Sequence, residues 1–229
     1  MIWLVATLVC FYSARYLAMK IKNPFFNPLL LTLIIMILAL KWLEVPYQTY
    51  FAQNEVINYL LGPAVVALAF PLYQQIGLIR SKWKTILTAC FVGSVLSMTF
   101  GTAIAFSMGA DAQLAASILP KSITTPLAMA ASQQIGGIPA ITSAMVIIVG
   151  LFGAVLGYPI MKLFHVKHPL AKGLSIGTVS HALGTAKAVE ENYQEGAFSS
   201  LALVICGIMT TLLAPLMFPL LLRIFGHAS

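Results

Sequence analysis

Five long stretches of this chain contain no charged side chain, and this feature constrains the fold more than any other. The stretches cover residues 23–40, 56–79, 85–110, 122–161 and 196–222. A helix that crosses the hydrocarbon core of a bilayer needs about 20 mostly apolar residues, whereas barrel strands are short and alternate in polarity. Only 8% of the residues are charged, against about 25% in a soluble domain. The sequence therefore predicts an all-α polytopic membrane protein with about seven to eight membrane elements.

The charged and sulfur-containing residues exclude several classes of function. Lys and Arg outnumber Asp and Glu by 13 to 6, but they lie in short loops between apolar stretches, where such residues orient membrane helices. Cys10, Cys90 and Cys206 lie inside apolar stretches, where cysteine behaves as a small hydrophobic residue. The sequence also has no His-Glu-x-x-His motif and no intramembrane carboxylate pair. We therefore expect no nucleic-acid partner, metal, cofactor or enzymatic activity.

The basic loops predict the topology. If they face the cytoplasm, the fourth predicted helix ends outside near Asp111, and the helix before the third basic loop must end inside. Residues 112–136 must then enter and leave on the same side, as a re-entrant hairpin or a strongly broken helix. Four crossing helices are predicted before segment 112–136 and one directly after it, and they cover residues 2–14, 28–40, 56–79, 85–108 and 139–164. The basic loops hold Arg15, Lys20 and Lys22; Arg80, Lys82 and Lys84; and Lys162, Lys167 and Lys172 with His165 and His168.

Two segments contain residues that interrupt helices. Pro120 and Pro126 lie inside segment 112–136, and proline removes a helical hydrogen bond. Within the membrane, backbone N–H and C=O groups that are not paired in a helix are tolerated only where other protein groups or a water-filled cavity supply their hydrogen bonds. The sequence therefore predicts that this segment breaks at these prolines and lines a cavity.

The second such segment is 173–188, which contains Gly177 and Gly184 on either side of His181. As a helix it would be about 24 Å long, which is marginal for a crossing. We expect this segment to be discontinuous or re-entrant as well, with its breaks at the two glycines. The last crossing helix follows at residues 196–222.

A weak internal similarity raises the hypothesis of inverted repeats. The tripeptides at 91–93, 148–150 and 205–207 share a pattern that ends in glycine and are spaced 57 residues apart, although 16 glycines make chance spacing easy. If each repeat unit consists of one hairpin and one crossing helix, the unit begins and ends on opposite sides of the membrane. Successive units would then be inverted relative to one another, as in many secondary transporters with a site at the bilayer midplane.

Lys121 is the sharpest candidate for a binding residue. A lone cation in a membrane segment is costly and usually marks an ion or substrate path, and the N-terminus of a half-helix adds positive dipole charge. An anion would therefore find Lys121, Ser122, Thr124 and Thr125 together, which predicts a carboxylate-binding site. The alternative is that Lys121 reaches the headgroups from a shallow hairpin tip, because Asp111 is close in sequence.

His181 is the second candidate, because it is the only histidine inside an apolar segment and imidazole titrates near neutral pH. It could carry a proton that travels with the substrate, or it could be a structural histidine that hydrogen-bonds to backbone. Ser180 and Thr185 could complete a polar pocket around it, or they could hydrogen-bond between packed helices.

Five motifs carry a resemblance to a known family. Together they resemble the bacterial LrgB/CidB family and the LrgB-like part of plastid glycolate/glycerate translocators, over nearly the whole chain. The motifs are NPLL at 27–30, the stretch 62–75, LPKSITTP at 119–126, SHALGTA at 180–186 and EGAFSS at 195–200.

The resemblance implies a single LrgB-like transmembrane domain over residues 1–229, multi-pass in the bacterial inner membrane, with a small LrgA/CidA-like membrane protein as partner. We divide this domain into scaffold helices at 1–110, a candidate oligomerisation region, and a transport core at 111–229. Two functions follow from the family: a secondary transporter of small 2-hydroxy or 2-oxo monocarboxylates, or an antiholin-like protein that modulates murein hydrolases and autolysis. A pore needs no cation in a proline-broken hairpin, so the residues favour the carrier, with a homo-oligomer as the expected assembly.

Overall fold

The computed structural model describes residues 2–21, 28–67, 69–74 and 76–226, and within them the chain forms α-helices and no strand. The predicted all-α class is therefore confirmed. The helices are α1 (Ile2–Ile21), α2 (Pro28–Trp42), α3 (Tyr47–Gln53), α4 (Glu55–Ala67), α5 (Ala69–Gln74), α6 (Ile76–Ser81), α7 (Trp83–Ser107), α8 (Ala112–Ile118), α9 (Thr125–Gln134), α10 (Pro139–Leu163), α11 (Pro169–Glu191) and α12 (Tyr193–Phe225). Lys22, Asn27, Leu68 and Gln75, which the sequence analysis used, lie outside the described residues.

Internal contacts divide the chain into two compact units, residues 1–67 and 68–229. In the first unit α1 packs against α2 and contacts the short helix α3, which the sequence did not predict. The backbone N–H of Trp3 donates to Gln53 Oε1 at 3.1 Å, and the hydroxyls of Thr7 and Tyr50 lie 3.1 Å apart. The predicted functional boundary at residue 110 stays a prediction, because a division into compact units does not identify the residues that take part in transport.

Within the described part of the chain, four helices are long and apolar enough to cross a membrane, namely α1, α7, α10 and α12, and α2 is a shorter apolar helix. Their positions agree with four of the predicted crossings to within a few residues at most ends. The described residues of the helix predicted at 56–79 lie in α4, α5 and α6, and residues 68 and 75 between these helices lie outside the described part of the chain. The chain is therefore a polytopic helical membrane protein.

The second unit contains a first helical hairpin, here called hairpin 1, formed by α8, the turn at 119–124 and α9. The turn holds Pro120, as the sequence predicted, whereas Pro126 lies in the first turn of α9, where proline is compatible with a helix. The backbone N–H of Ile138 donates to the Ser117 hydroxyl at 2.7 Å. Because residue 138 lies beside residue 117, the chain returns to α8 after the turn.

Helix α11 is a second hairpin, here called hairpin 2, with arms at 169–180 and 182–191. Its backbone leaves helical geometry at His181, where φ is 42° and ψ is −139°. A Cβ built on Gly184 would lie 2.9 Å from Ile176 Cγ2, although the two residues would be about 12 Å apart in a continuous helix. The segment is therefore discontinuous, as predicted.

The position of this break differs from the prediction, because Gly177 and Gly184 remain helical. Both glycines instead permit close packing: a Cβ on Gly177 would clash with the Ser199 carbonyl oxygen of α12, and one on Gly184 with Ser180. In this segment the two glycines therefore allow neighbouring chain segments to pack closely, and they do not form the turn.

The two hairpins approach from opposite ends of α12. At the start of α12, Glu195 and Phe198 contact the base of hairpin 2 at Lys172 and Gly173. Near its end, Phe218 shares a buried cluster with α8 and with the loop before α8. Since α12 rises about 1.5 Å per residue, the two bases are separated by about 34 Å along its axis, close to the thickness of a bilayer core.

Candidate functional site

The tips of the two hairpins meet at one residue of α10, Val146. Ile123, in the tip of hairpin 1, packs in a buried cluster with Val146. His181, at the tip of hairpin 2, places Nε2 2.7 Å from the Val146 carbonyl oxygen. The carbonyl can only accept, so His181 donates this hydrogen bond. The two segments that the sequence identified as broken thus converge inside the second unit.

Lys121 extends from the tip of hairpin 1 to the middle of α7. Its ammonium donates to the Ser97 carbonyl oxygen at 2.9 Å and to the Ser97 hydroxyl at 3.3 Å. Ser97 lies about 15 Å along the axis of α7 from the Ser107 end. The side chain is therefore directed at the centre of a long apolar helix, not along the helix towards its end.

The ammonium of Lys121 has no carboxylate partner within 4.0 Å among the residues that the structure describes. Asp111, the nearest acidic residue in sequence, instead caps α8 by accepting from the backbone N–H of Leu114 at 2.7 Å. A charge withdrawn from water is costly unless it is paired. An anion that reaches Lys121 would supply this missing charge.

Three residues with hydroxyl side chains follow Lys121 on hairpin 1. Ser122 is buried, and its hydroxyl lies 2.7 Å from that of Ser97. Thr124 is the N-cap of α9 but its side chain makes no capping hydrogen bond, and Thr125 follows it in the first turn; both are half-buried. The N-terminus of α9 adds partial positive charge beside Lys121.

The predicted residues of hairpin 2 are packed into the protein. His181 is 4% exposed, and its carbonyl accepts from the Thr185 hydroxyl at 2.8 Å. Thr185 also lies 2.8 Å from the Ser199 hydroxyl of α12, and Ser180 lies directly against Gly153 of α10. Hairpin 2 is thus fixed to both α10 and α12 at its tip.

The structure therefore places the predicted residues in two sets. The Lys121 set contains Lys121, Ser122, Thr124 and Thr125, and the His181 set contains Ser180, His181 and Thr185. The described residues show no direct hydrogen bond between the sets, which are linked through Ile123, Val146 and His181.

The sequence analysis missed Ser97, because a single hydroxyl in an apolar helix is too common to carry a signal. It also missed the partners of Glu195, which accepts from the Tyr158 hydroxyl at 2.7 Å and pairs with Lys172 at 3.2 Å. Glu195 directly precedes a charge-free stretch, which was the only sequence indication of its burial. This ion pair lies at the base of hairpin 2, away from the tips.

Comparison with known proteins gives consistent matches along the chain. The model of the LrgB-like family matches residues 7–220. A Haemophilus influenzae protein is 43% identical over 94% of this chain and 93% of its own length, and Bacillus subtilis YxaC is 39% identical over 89% and 90%. A Bacillus mycoides protein named antiholin-like protein LrgB is 36% identical over 94% of each chain. No solved structure matches the chain significantly.

Proposed function

The chain belongs to the LrgB-like family, and from that premise we propose that it is a secondary transporter of small 2-hydroxy or 2-oxo monocarboxylates. The substrate class comprises glycolate, glycerate, lactate and pyruvate. The observation that carries the proposal is the ammonium of Lys121, which has no carboxylate partner among the described residues and extends from the hairpin tip that meets hairpin 2 at Val146. A membrane protein tolerates such a charge where it binds a substrate or an ion.

The arrangement of the hairpins supports a carrier. They enter from opposite ends of α12, and their tips meet near the middle of the unit. Inverted broken elements around a central site are common in transporters that expose the site to each side in turn. Transport by such a site is saturable, because each cycle moves a fixed number of substrates.

The chemistry around Lys121 fits a small carboxylate with an oxygen on C2. The ammonium would hold the carboxylate, and Ser122, Thr124 and Thr125 would contact the 2-oxygen. Ser180, His181 and Thr185 would close the opposite side. This proposal involves no bond-breaking step, so the protein acts as a carrier and not as an enzyme.

Proton coupling through His181 remains a separate part of the proposal. In this conformation its Nε2 is occupied by the Val146 carbonyl, which favours a structural role for the imidazole. Coupling would require the imidazole to gain a proton during the cycle. The pH dependence of transport by a His181 variant tests this point.

An antiholin-like function is the second candidate. The observation in its favour is the name of the Bacillus mycoides relative, antiholin-like protein LrgB, at 36% identity, and this name supports it more directly than it supports transport. A regulator or pore-forming assembly would modulate murein hydrolase activity through large oligomers and would let unrelated solutes leak. A carrier shows saturation and competition instead.

We further propose that the chain lies in the bacterial inner membrane, forms a homo-oligomer and acts beside a small LrgA/CidA-like membrane protein. The four long apolar helices support a membrane location, and the family supports the partner. Reconstitution of the chain with and without the partner tests whether the partner is required.

Uptake by purified chain in liposomes tests the proposed function. Labelled pyruvate and glycolate are supplied to wild type, Lys121→Ala and the control Lys41→Ala, whose lysine is exposed on α2. We expect saturable uptake by wild type and the control and its loss in Lys121→Ala. Full uptake by Lys121→Ala would refute the role of the ammonium. Leakage of unrelated sugars, or inactive wild type even with the partner added, would favour the antiholin-like function.

A further inference from the structure

Gly101 of α7 lies directly beside the end of the Lys121 side chain. A Cβ built on Gly101 would clash with Lys121 Nζ and lie 2.9 Å from Cε and 3.5 Å from Cδ. The three nearest atoms to that Cβ all belong to Lys121. Gly101 thus leaves a notch in α7 of the size that the ammonium and its last methylene groups require.

Ser97 lies one helical turn before Gly101, on the same face of α7. It provides the two acceptors for the ammonium at 2.9 and 3.3 Å, and its hydroxyl also lies 2.7 Å from that of Ser122. The notch and the acceptors together fix both the path of the Lys121 side chain and the position of its charge.

We infer that Ser97 and Gly101 are the positioning residues of the substrate-binding cation, so that α7 is part of the binding site. The inference rests on the proposed function in assigning a substrate to Lys121. In the empty site, Ser97 satisfies the ammonium, and an arriving carboxylate takes up the charge that the neutral serine leaves uncompensated. Neither residue touches the substrate in this account, and both act through Lys121.

Gly101→Ala is the direct test, with Gly77→Ala as the matched control because a Cβ on Gly77 meets nothing within 4 Å. Gly101→Ala must move the ammonium, so we expect the half-saturation concentration for uptake to rise at least about tenfold. The maximal rate should fall much less, because the hairpins are otherwise unchanged. A half-saturation concentration equal to that of the Gly77→Ala control would overturn the inference.

A stability cycle tests the notch without using transport. Alanine is more stable than glycine inside a helix by about 0.5–1 kcal/mol, and we expect Gly101→Ala to show less of this gain in the wild-type background, where the end of Lys121 must move. In the Lys121→Ala background the gain in melting temperature should be complete, because the clashing atoms are then gone. Equal changes in melting temperature in both backgrounds would show that Gly101 does not accommodate Lys121, whatever the substrate is. Normal uptake by Lys121→Ala, in contrast, would refute the proposed function while leaving this cycle intact.

Ser97 provides a second variant if Gly101→Ala does not fold. Ser97→Ala keeps the carbonyl acceptor and loses only the hydroxyl, so we expect a rise of a few-fold in the half-saturation concentration. Ser97→Thr should restore it, because threonine retains the hydroxyl. Ser107→Ala is the control on the same helix, since Ser107 is exposed and bonds only to its own helix at Ile104. A Ser97→Ala variant indistinguishable from this control would contradict the role of the hydroxyl.

Discussion

The buried ion pair at the base of hairpin 2 gives a quantitative prediction about stability. Glu195 is paired with Lys172 at 3.2 Å, and its side chain is 6% exposed against 25% for that of Lys172. The Tyr158 hydroxyl donates to the other carboxylate oxygen at 2.7 Å. Lys172→Met keeps an unbranched apolar side chain at this position but leaves the Glu195 carboxylate without its cation.

The structure sets the expected size of the effect. Removing one partner of a buried ion pair costs about 3–5 kcal/mol. Two features reduce this cost: Tyr158 still donates to Glu195, and the partial exposure of Lys172 lets water screen the pair. We therefore expect Lys172→Met to lower the free energy of unfolding by about 2–3 kcal/mol. For a chain of this length, the melting temperature should fall by roughly 4–12 °C.

The same hairpin offers a matched control. Lys187 pairs with Glu191 at 2.6 Å, but these side chains are 34% and 44% exposed, and an exposed pair contributes about 0–1 kcal/mol. Thermal unfolding in detergent can be followed with a thiol-reactive dye in a Cys10→Ser background, because Cys90 and Cys206 are buried in the folded chain whereas Cys10 is half-buried. A loss for Lys172→Met no larger than that for Lys187→Met would refute the reasoning from burial.

Three further predictions follow from the hairpins. If His181 carries a coupled proton, uptake by wild type rises as external pH falls and His181→Gln loses this dependence; an unchanged pH profile in the variant would exclude His181 from coupling. Gly177→Ala places a Cβ against backbone of α12 and should destabilise the purified chain strongly in a thermal melt, whereas Gly77→Ala should not. Ser97→Cys combined with Ser122→Cys, in a chain without native cysteines, should form a disulfide on oxidation, because the two hydroxyls lie 2.7 Å apart; no crosslink would place the tip of hairpin 1 elsewhere.

The long helices could be predicted because burial in lipid leaves a signal in composition. The charge-free stretches predicted α7, α12 and the end of α10 to within a few residues, since charged side chains occur close to these ends. The break at Pro120 was predicted from a topological argument and from proline chemistry, whereas Pro126 lies inside α9, and re-entry of this segment into the membrane stays a prediction. Helix α3 and its end at Asn54 were not predicted, because a short helix of mixed polarity leaves no long apolar signal.

The glycines show why the site was only partly predictable. The three equally spaced glycines all face broken segments: Gly93 packs on Thr178, Gly150 on His181 and Gly207 on Leu127. The sequence shows that these residues have no side chain beyond a hydrogen, but it does not show which neighbouring side chain fills the space that this leaves. For the same reason Gly101 and its contact with Lys121 could not be found from spacing.

The path of hairpin 2 predicts the side of the membrane at which α12 ends. Its second arm packs back along the first turns of α12, with Val189 against Gly196, so α12 starts at the same end of the unit as the base of hairpin 2. If the basic loop around Lys167 faces the cytoplasm and α12 crosses the membrane once, Gly226 lies at the opposite face. A fluorescent protein fused behind α12 would then be exported and stay dark, whereas an alkaline phosphatase in the same place would be active.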